Sequence, residues 1–180
     1  DRNMSKSTNS IKKIFNLSSI GPKPRKKSQL WMKDVGFDEA PWYRERMGLR
    51  ELEDFLEVAD NRIDHVKITT LQVLGHPKEW LERKIKLYKK HSIQPYLDHG
   101  YFLKAFKKGK VNEAIDAAAD LGFSAMEFMN TFGDIPENQI KDWCNRAIKN
   151  GINIIYEHHP ESGWRKTKKN IPTTLKQITE

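Results

Sequence analysis

The sequence predicts an α/β protein with a (β/α)8 barrel of the TIM type, of which this chain covers about the first five to six βα units. Strand-like segments alternate strictly with helical patterns, which predicts a parallel sheet. Four of these segments end in polar clusters, whose last residues, Thr70, His99, Asn130 and His159, lie 29, 31 and 29 residues apart. This regular spacing favours a barrel over a doubly wound sheet. No Gly-x-Gly-x-x-Gly motif follows the first strand, which disfavours a dinucleotide-binding fold.

The first half of the predicted domain contains three strands and two helices. The strands are short apolar runs, whereas the helices carry apolar residues at helical spacing, such as Leu81, Ile85 and Tyr88 in the second helix. Pro77 suits the first turn of that helix. In chain order we expect a strand at Gln29–Gly36, a loop to Gly48, a helix at Leu49–Ala59, a strand at Asp64–Thr70, a helix from Pro77 to about Ser92 and a strand at Ile93–His99.

The second half continues the same alternation. Gly122 and Gly151 each follow a helical pattern at a position that suits a helix end. We expect a broken helix at Tyr101–Gly109 and Val111–Leu121, a strand at Phe123–Asn130, a helix at Pro136–Asn150, a strand at Ile152–His159, a loop at 160–172 and the start of a helix at Thr173–Glu180. A complete eight-unit barrel needs about 200–250 residues. We therefore expect about three further strands beyond residue 180.

The charge of the chain is concentrated at its ends. Residues 1–30 carry eight Lys or Arg and one Asp, and residues 161–180 carry five Lys or Arg and two Glu. Residues 31–160, in contrast, have 19 basic and 21 acidic residues. We interpret residues 1–28, which are polar and poor in apolar residues, as a disordered basic tail, and residues 29–180 as the partial barrel domain. Because the domain itself is near neutral, we expect no nucleic-acid partner.

The composition predicts a cytoplasmic protein. No apolar run approaches the roughly 18 residues that a membrane helix needs, so we expect no membrane association. Cys144 is the single cysteine, which excludes a disulfide within the chain and favours a reducing compartment. Homo-oligomer formation stays open.

Four charged residues lie at or near the ends of successive predicted strands, among apolar neighbours: Lys67, Asp98, Glu127 and Glu157. Alternation along a strand would direct them into the barrel, close to the carboxyl rim where barrel enzymes carry their chemistry. Ionised groups in such a place must be paired or bind a cation. The functional interpretation is a site for Mg²⁺, or for Mn²⁺ or Zn²⁺, with acid/base groups. The alternative is internal salt bridging, for example between Lys67 and Glu127, without chemistry.

Histidines and a basic loop extend this candidate site. His99, His158 and His159 lie at strand ends and would suit a mixed nitrogen and oxygen metal site, although rim histidines that only hydrogen-bond to loops are equally common. Arg165 and Lys166 lie in a basic loop after the fifth strand. That loop would close over the anion of a substrate, or it would be a solvated surface loop.

The chain resembles the phosphosulfolactate synthase family, which includes plant heat-stress-associated relatives. The resemblance runs from about residue 23 to 180. It is carried by residues 48–54 (Gly-Leu-Arg-Glu-Leu-Glu-Asp), 63–67 (Ile-Asp-His-Val-Lys), 84–88 (Lys-Ile-Lys-Leu-Tyr), 108–111 (Lys-Gly-Lys-Val), 121–127 (Leu-Gly-Phe-Ser-Ala-Met-Glu) and the strand of Glu157.

The resemblance implies a (β/α)8 barrel and a Mg²⁺-dependent addition of sulfite to phosphoenolpyruvate in coenzyme M biosynthesis. It also places Lys67, Glu127 and Glu157 on charged positions that match the family. The rims depart from the family pattern. Its Gly-Trp-Gly-Thr-Ser after the lysine is replaced by residues 68–72 (Ile-Thr-Thr-Leu-Gln), and its Pro-Gly-Gly-Thr by residues 97–100 (Leu-Asp-His-Gly). Glycine-rich rims let backbone approach an anion closely, so we expect a divergent member whose substrate can differ.

The leading hypothesis is therefore a metal-dependent, lyase-like enzyme that acts on a small anionic carboxylate. Lys67, Glu127 and Glu157 would be catalytic. Asp98, His99, Glu127, Glu157 and His159 would be metal ligands, and Arg165 and Lys166 would bind the substrate anion. The alternative is a catalytically silent barrel relative that binds a metabolite or a protein, as a stress-associated protein.

Overall fold

The computed structural model describes residues 21–27, 29–34, 47–59, 61–130 and 135–157. In this part of the chain five parallel strands form one open sheet in the order β1-β2-β3-β4-β5. The strands are β1 (Trp31–Asp34), β2 (His65–Ile68), β3 (Gln94–Leu97), β4 (Ala125–Met129) and β5 (Asn153–Glu157). Each strand pairs with the next strand in the chain, as in the first units of a (β/α)8 barrel. The predicted fold class is confirmed.

Six helices occur in the described ranges: α1 (Leu49–Ala59), α2 (Thr70–Gly75), α3 (Lys78–Lys90), α4 (His99–Lys107), α5 (Val111–Leu121) and α6 (Glu137–Lys149). Five of them match predicted helices, and α5 ends at Gly122, whose φ of 90° a residue with a side chain rarely adopts. The short helix α2 was not predicted. The end of the predicted fifth strand, the following loop and the helix at 173–180 lie outside the described residues.

The predicted ends of the second and third strands are wrong by two residues each. β2 ends at Ile68 and α2 begins at Thr70, while β3 ends at Leu97 and α4 begins at His99. The reason at the third strand is helix capping, because the Asp98 carboxylate accepts a hydrogen bond from the backbone N–H of Tyr101. Capping requires extended backbone only at Asp98 itself, so the helix starts directly afterwards.

The core lies between the sheet and the helices. The helix-facing residues of β2, β3 and β4 are buried, those of β1 and β5 are partly exposed except Asp34, and Phe128 of β4 stacks on Phe102 of α4 with ring centroids 4.7 Å apart. The helical stripes predicted from spacing supply the other half of this layer. It contains Leu52, Leu56, Val66, Ile68, Ile85, Tyr88, Leu97, Phe102, Ile115, Ala118, Met126, Phe128, Trp143 and Ala147. In α1 only part of the predicted stripe is buried, because Phe55 is 36% exposed.

A buried polar network joins β1 to α2 and α3 in the same layer. Lys84 Nζ lies 2.6 Å from Asp34 Oδ2, and Tyr88 donates its hydroxyl to the same oxygen at 2.6 Å. Lys84 also donates to the Gln72 side chain, which in turn donates to the Asp34 carbonyl. Burial lowers the pKa of Lys84, and the Asp34 charge opposes this change. Since both charged side chains are completely buried, the network holds β1 against the helices and is closed to solutes.

Arg25 attaches the segment before β1 to the body. Its guanidinium donates two hydrogen bonds to Asp64 Oδ2, at 3.0 and 2.8 Å, and others to the carbonyls of Asn61 and Arg62. Both side chains of the pair are at least nine-tenths buried. Arg25 lies within residues 1–28, the tail that we expected to be disordered, and these contacts join it to the folded body.

None of the helices within the described ranges combines the length and the apolar character that crossing a membrane requires.

Candidate active site

One face of the sheet carries three of the predicted site residues, Lys67, Glu127 and Glu157. Lys67 of β2 pairs in register with Tyr96 of β3, and alternation places Glu127 of β4 and Glu157 of β5 on the same face. The opposite face is the apolar core layer, so this face corresponds to the interior of a barrel. Lys67 Nζ lies 5.8 Å from the centroid of the Tyr96 ring, and burial and the three nearby carboxylates raise the pKa of Tyr96. The face is therefore polar and anionic toward its carboxyl rim.

Glu127 is the centre of the site. Its side chain is 6% exposed, and its two oxygens have different partners. Oε1 lies 2.7 Å from Lys67 Nζ, and Oε2 accepts a hydrogen bond from the backbone N–H of His99 at 2.9 Å. The start of α4 thus holds the carboxylate in place because the first N–H groups of a helix have no partner within the helix.

His99 connects the two glutamates. Its Nδ1 forms a hydrogen bond with Glu157 Oε2 and lies 3.6 Å from Glu127 Oε2. The nearby Glu127 carboxylate raises the pKa of His99 most, burial opposes this, and the charge of Glu157 and its hydrogen bond add to the increase. About a third of the His99 side chain is exposed, so the ring is open to a solute.

The donor atoms of His99, Glu127 and Glu157 fit a divalent cation. One ligand atom from each residue lies within 4.8 Å of the others, and no other group of this kind occurs in the described ranges. Two carboxylates and an imidazole suit Mn²⁺ or Zn²⁺ at least as well as Mg²⁺, because Mg²⁺ prefers oxygen ligands and the imidazole supplies a nitrogen. A cation at Nδ1 would displace the proton that this atom shares with Glu157.

The structure places Asp98 outside this group, although it was predicted as a metal ligand. Its carboxylate accepts hydrogen bonds from the Thr70 hydroxyl, the Thr70 backbone N–H and the Tyr101 backbone N–H. Asp98 therefore ties the start of α2 to the start of α4. Gly100 belongs to the same junction, because a Cβ atom there would lie only 2.7 Å from Thr70 Oγ1. Asp98 has a structural role in positioning His99.

Sequence reasoning missed three features around the site. Trp31 and His65 stack at 3.9 Å on the barrel-interior face below Lys67, and Tyr96 meets Trp31 edge to face. Burial lowers the pKa of His65. Thr69, directly beyond β2, has a buried hydroxyl that alone among the buried side-chain polar atoms of the described residues lacks a hydrogen-bond partner. Because Thr69 lies two residues after Lys67, alternation along the strand could have drawn attention to the Thr69 hydroxyl. The stack of Trp31 on His65 depends on the register of β1 and β2, which the sequence does not show.

Four predicted site residues lie outside the described residues. They are His158 and His159 at the expected end of the fifth strand, and Arg165 and Lys166 in the basic loop. Their roles stay predictions.

Comparison with known proteins agrees with this architecture. The chain matches the family described as (2R)-phospho-3-sulfolactate synthase over residues 19–180. It is 30% identical over 128 residues to a phosphosulfolactate synthase of Methanocaldococcus jannaschii, which covers 71% of this chain and 47% of that protein. It is 24% identical over 135 residues to the enzyme of Methanothermobacter thermautotrophicus, at 75% and 48% coverage. The chain spans about half the length of these curated relatives. It belongs to the phosphosulfolactate synthase family.

Proposed function

We propose that the protein is a phosphosulfolactate synthase-like enzyme that carries out metal-dependent, lyase-type chemistry on a small anionic carboxylate. One observation carries this proposal: Lys67, His99, Glu127 and Glu157 lie together on the barrel-interior face, at the carboxyl ends of four strands. Barrel enzymes place their reacting groups at this end. Membership of the family supports the reaction class.

Lys67 is the residue suited to stabilise the negative charge that develops on the substrate during the reaction. In the family reaction, the sulfur of sulfite forms a bond to the methylene carbon of phosphoenolpyruvate. The double bond is consumed, negative charge builds up on the carboxylate side, and the α-carbon then takes a proton. An ammonium group at the rim stabilises that charge, and Lys67 Nζ can also deliver the proton. Glu127 Oε1, 2.7 Å away, holds Nζ in position.

Glu127, Glu157 and His99 would hold a divalent cation. The cation would act as a Lewis acid that polarises the substrate carboxylate. The backbone N–H of His99 orients Glu127 for this task, and Asp98 fixes the backbone on which His99 lies. With an imidazole among the ligands, we expect Mn²⁺ or Zn²⁺ to bind at least as tightly as Mg²⁺.

The rim supports a substrate that differs from that of the family reaction. Residues 68–72, which replace the family's glycine-rich stretch, include the start of α2, and the Gln72 side chain is hydrogen-bonded within the Asp34 network. In residues 97–100, which replace the family's Pro-Gly-Gly-Thr, the side chain of His99 lies between Glu127 and Glu157. Larger side chains leave less backbone for an anion to approach. We therefore expect phosphoenolpyruvate and sulfite to be poorer substrates than another small anionic carboxylate. Anion binding by Arg165 and Lys166, a role in coenzyme M biosynthesis and a cytoplasmic location belong to this proposal.

The alternative function is that of a silent relative that binds a metabolite or a protein. The observation that favours it is mutual neutralisation: Lys67 pairs with Glu127, and His99 with Glu157. A site whose charges satisfy each other needs neither cation nor substrate.

Cation titration separates the two functions. We would measure the heat of binding and the melting temperature with Mg²⁺, Mn²⁺ and Zn²⁺ for the complete protein and for Glu127→Gln and Glu157→Gln. The matched control is Glu113→Gln, which removes an exposed carboxylate on α5 that is not part of the candidate site. The proposal expects saturable binding that both site variants lose and the control keeps. Absence of heat and of any melting shift with all three cations would support the silent relative. A coupled test of sulfite consumption with phosphoenolpyruvate then measures the family reaction directly.

A further inference from the structure

A second lysine lies beside Lys67 on the barrel-interior face of the sheet. Lys33 of β1 is the register partner of Lys67 in β2. The residue after it, Asp34, faces the helices, where it contacts Lys84, and Trp31, two residues before it, belongs to the aromatic stack of the interior face. Because side chains alternate along a strand, Lys33 lies on the same interior face as Lys67. It is exposed there.

The two lysines place like charges next to each other. Neighbouring strands are about 4.8 Å apart, and like charges at directly opposite positions destabilise a sheet. Glu127 contacts Lys67 Nζ through Oε1 at 2.7 Å, which accounts for one of the three N–H donors of that ammonium group. An anionic group placed between Lys33 and Lys67 would accept hydrogen bonds from both and offset their repulsion. Strand register therefore brings together two donors that suit an anion.

Charge divides the interior face into two halves. β1 and β2 contribute Lys33 and Lys67, whereas β4 and β5 contribute Glu127 and Glu157, and these two carboxylates together with His99 fit a divalent cation. A substrate with an anionic group at each end is complementary to this arrangement, because one end can bind the cation while the other lies between the lysines. A monocarboxylate would leave the lysine half unused.

We propose that Lys33 is a substrate-binding residue, which together with Lys67 holds a tetrahedral oxyanion, a phosphate or a sulfonate, at the end of the substrate opposite its carboxylate. Such a group offers three acceptor oxygens, so each ammonium group has an oxygen of its own, whereas a carboxylate offers two. The inference rests on the proposed function for the carboxylate end of the substrate. It adds to that function a contact from β1 and a second anionic group.

Anion binding without a divalent cation tests the lysine pair by itself. We would titrate the complete protein by calorimetry in EDTA with phosphonoacetate, with sulfoacetate and with propionate, which carries only the carboxylate. The wild type should bind one of the first two about tenfold more tightly than propionate, and the tighter of them identifies the group as a phosphate or a sulfonate. Lys33→Met should weaken that binding by about tenfold, because one charged donor is lost, whereas Lys33→Arg should keep most of it. The control is Lys149→Met, at an exposed position of α6, which should bind as the wild type does.

A Mn²⁺ titration keeps this inference apart from the proposed function. Lys33→Met should bind Mn²⁺ as the wild type does, because Lys33 is not among the residues that fit the cation. If the wild type binds no cation but its anion binding depends on Lys33, the lysine pair stands and the metal-dependent function fails. Equal anion affinity in the wild type and in Lys33→Met would overturn the inference, as would a wild type that binds neither tetrahedral probe. Melting curves verify that the variants are folded, and Lys33→Gln serves as a second variant without the charge.

Discussion

Two lysine–carboxylate pairs lie on opposite faces of the same sheet. Lys84 and Asp34 are 2.6 Å apart on the helix-facing side, and neither side chain is exposed. Lys67 and Glu127 are 2.7 Å apart on the barrel-interior side, with 22% of Lys67 exposed. The chemistry is the same and only access differs. A sealed pair can serve the fold alone, whereas an open pair can exchange one partner for a substrate or a cation. Access to solvent, more than charge, identifies the candidate active site.

Removing the lysine from each pair should give the largest contrast in stability. Lys84→Met leaves Asp34 as a buried charge with neutral partners, so we expect the free energy of unfolding to fall by about 3–5 kcal/mol. Lys67→Met should cost about 1–2 kcal/mol, because Glu127 keeps the His99 N–H and lies on an open face. Urea unfolding at neutral pH measures both values. Equal losses would contradict the distinction between a sealed and an open pair.

On the solvent-accessible, barrel-interior face, Asp98 and Glu127 are expected to differ in their effects on stability and on cation binding. Asp98→Ala removes the cap of α4 and the acceptor for Thr70, and we expect a loss of about 2 kcal/mol in stability. Cation binding should weaken but persist, because His99, Glu127 and Glu157 remain although Asp98 no longer fixes the backbone of His99. Glu127→Gln should abolish cation binding at a smaller cost in stability. Calorimetry and urea unfolding on both variants test this, and loss of the cation site in Asp98→Ala alone would place Asp98 among the ligands.

The Arg25–Asp64 pair makes stability depend on pH at the other end of the barrel. Burial by itself would raise the pKa of Asp64, but the hydrogen bonds from Leu30 N–H and Arg25 and the Arg25 charge outweigh it and lower the pKa below 3.8. The pair therefore contributes stability above pH 3.8, and this contribution is lost as the pH falls through the lower folded-state pKa. Urea midpoints from pH 7 down to pH 2 should fall less steeply in Asp64→Asn. Identical slopes would show that Asp64 has an ordinary pKa.

The smallest expected effect belongs to the unpartnered hydroxyl of Thr69. Thr69→Val keeps the shape and removes a buried polar atom that lacks a hydrogen bond, so we expect stability to rise by about 0.5–1 kcal/mol. Thr70→Val is the matched control, since the Thr70 hydroxyl is bonded to Asp98 and its loss should destabilise by about 1 kcal/mol. Thermal and urea unfolding measure both. A destabilised Thr69→Val protein would mean that the hydroxyl has a partner after all.

Strand and helix order, the barrel class and the positions of Lys67 and Glu127 could be predicted from the sequence alone. Strand-like and helical patterns can be recognised from the local spacing of apolar residues. The face on which a strand residue lies follows from its position, because side chains alternate between the two faces of the sheet. At Asp98 the side chain has partners that this reasoning did not include. Alternation along the strand predicts that its carboxylate faces the barrel interior. Instead, the carboxylate caps α4 by accepting a hydrogen bond from the Tyr101 N–H, and it accepts another from the Thr70 hydroxyl.

The residue types at the strand ends are local information that can be read from the amino-acid sequence. Which of these residues contact one another depends on tertiary packing. His99 was one of several rim candidates until the start of α4 brought its ring to Glu157 and its N–H to Glu127, residues 58 and 28 positions away. Nothing local to Lys84 predicted its partner, and it is β1 that places Asp34 beside it. Partners so far apart in the chain are set by strand register and helix packing, which no local pattern encodes.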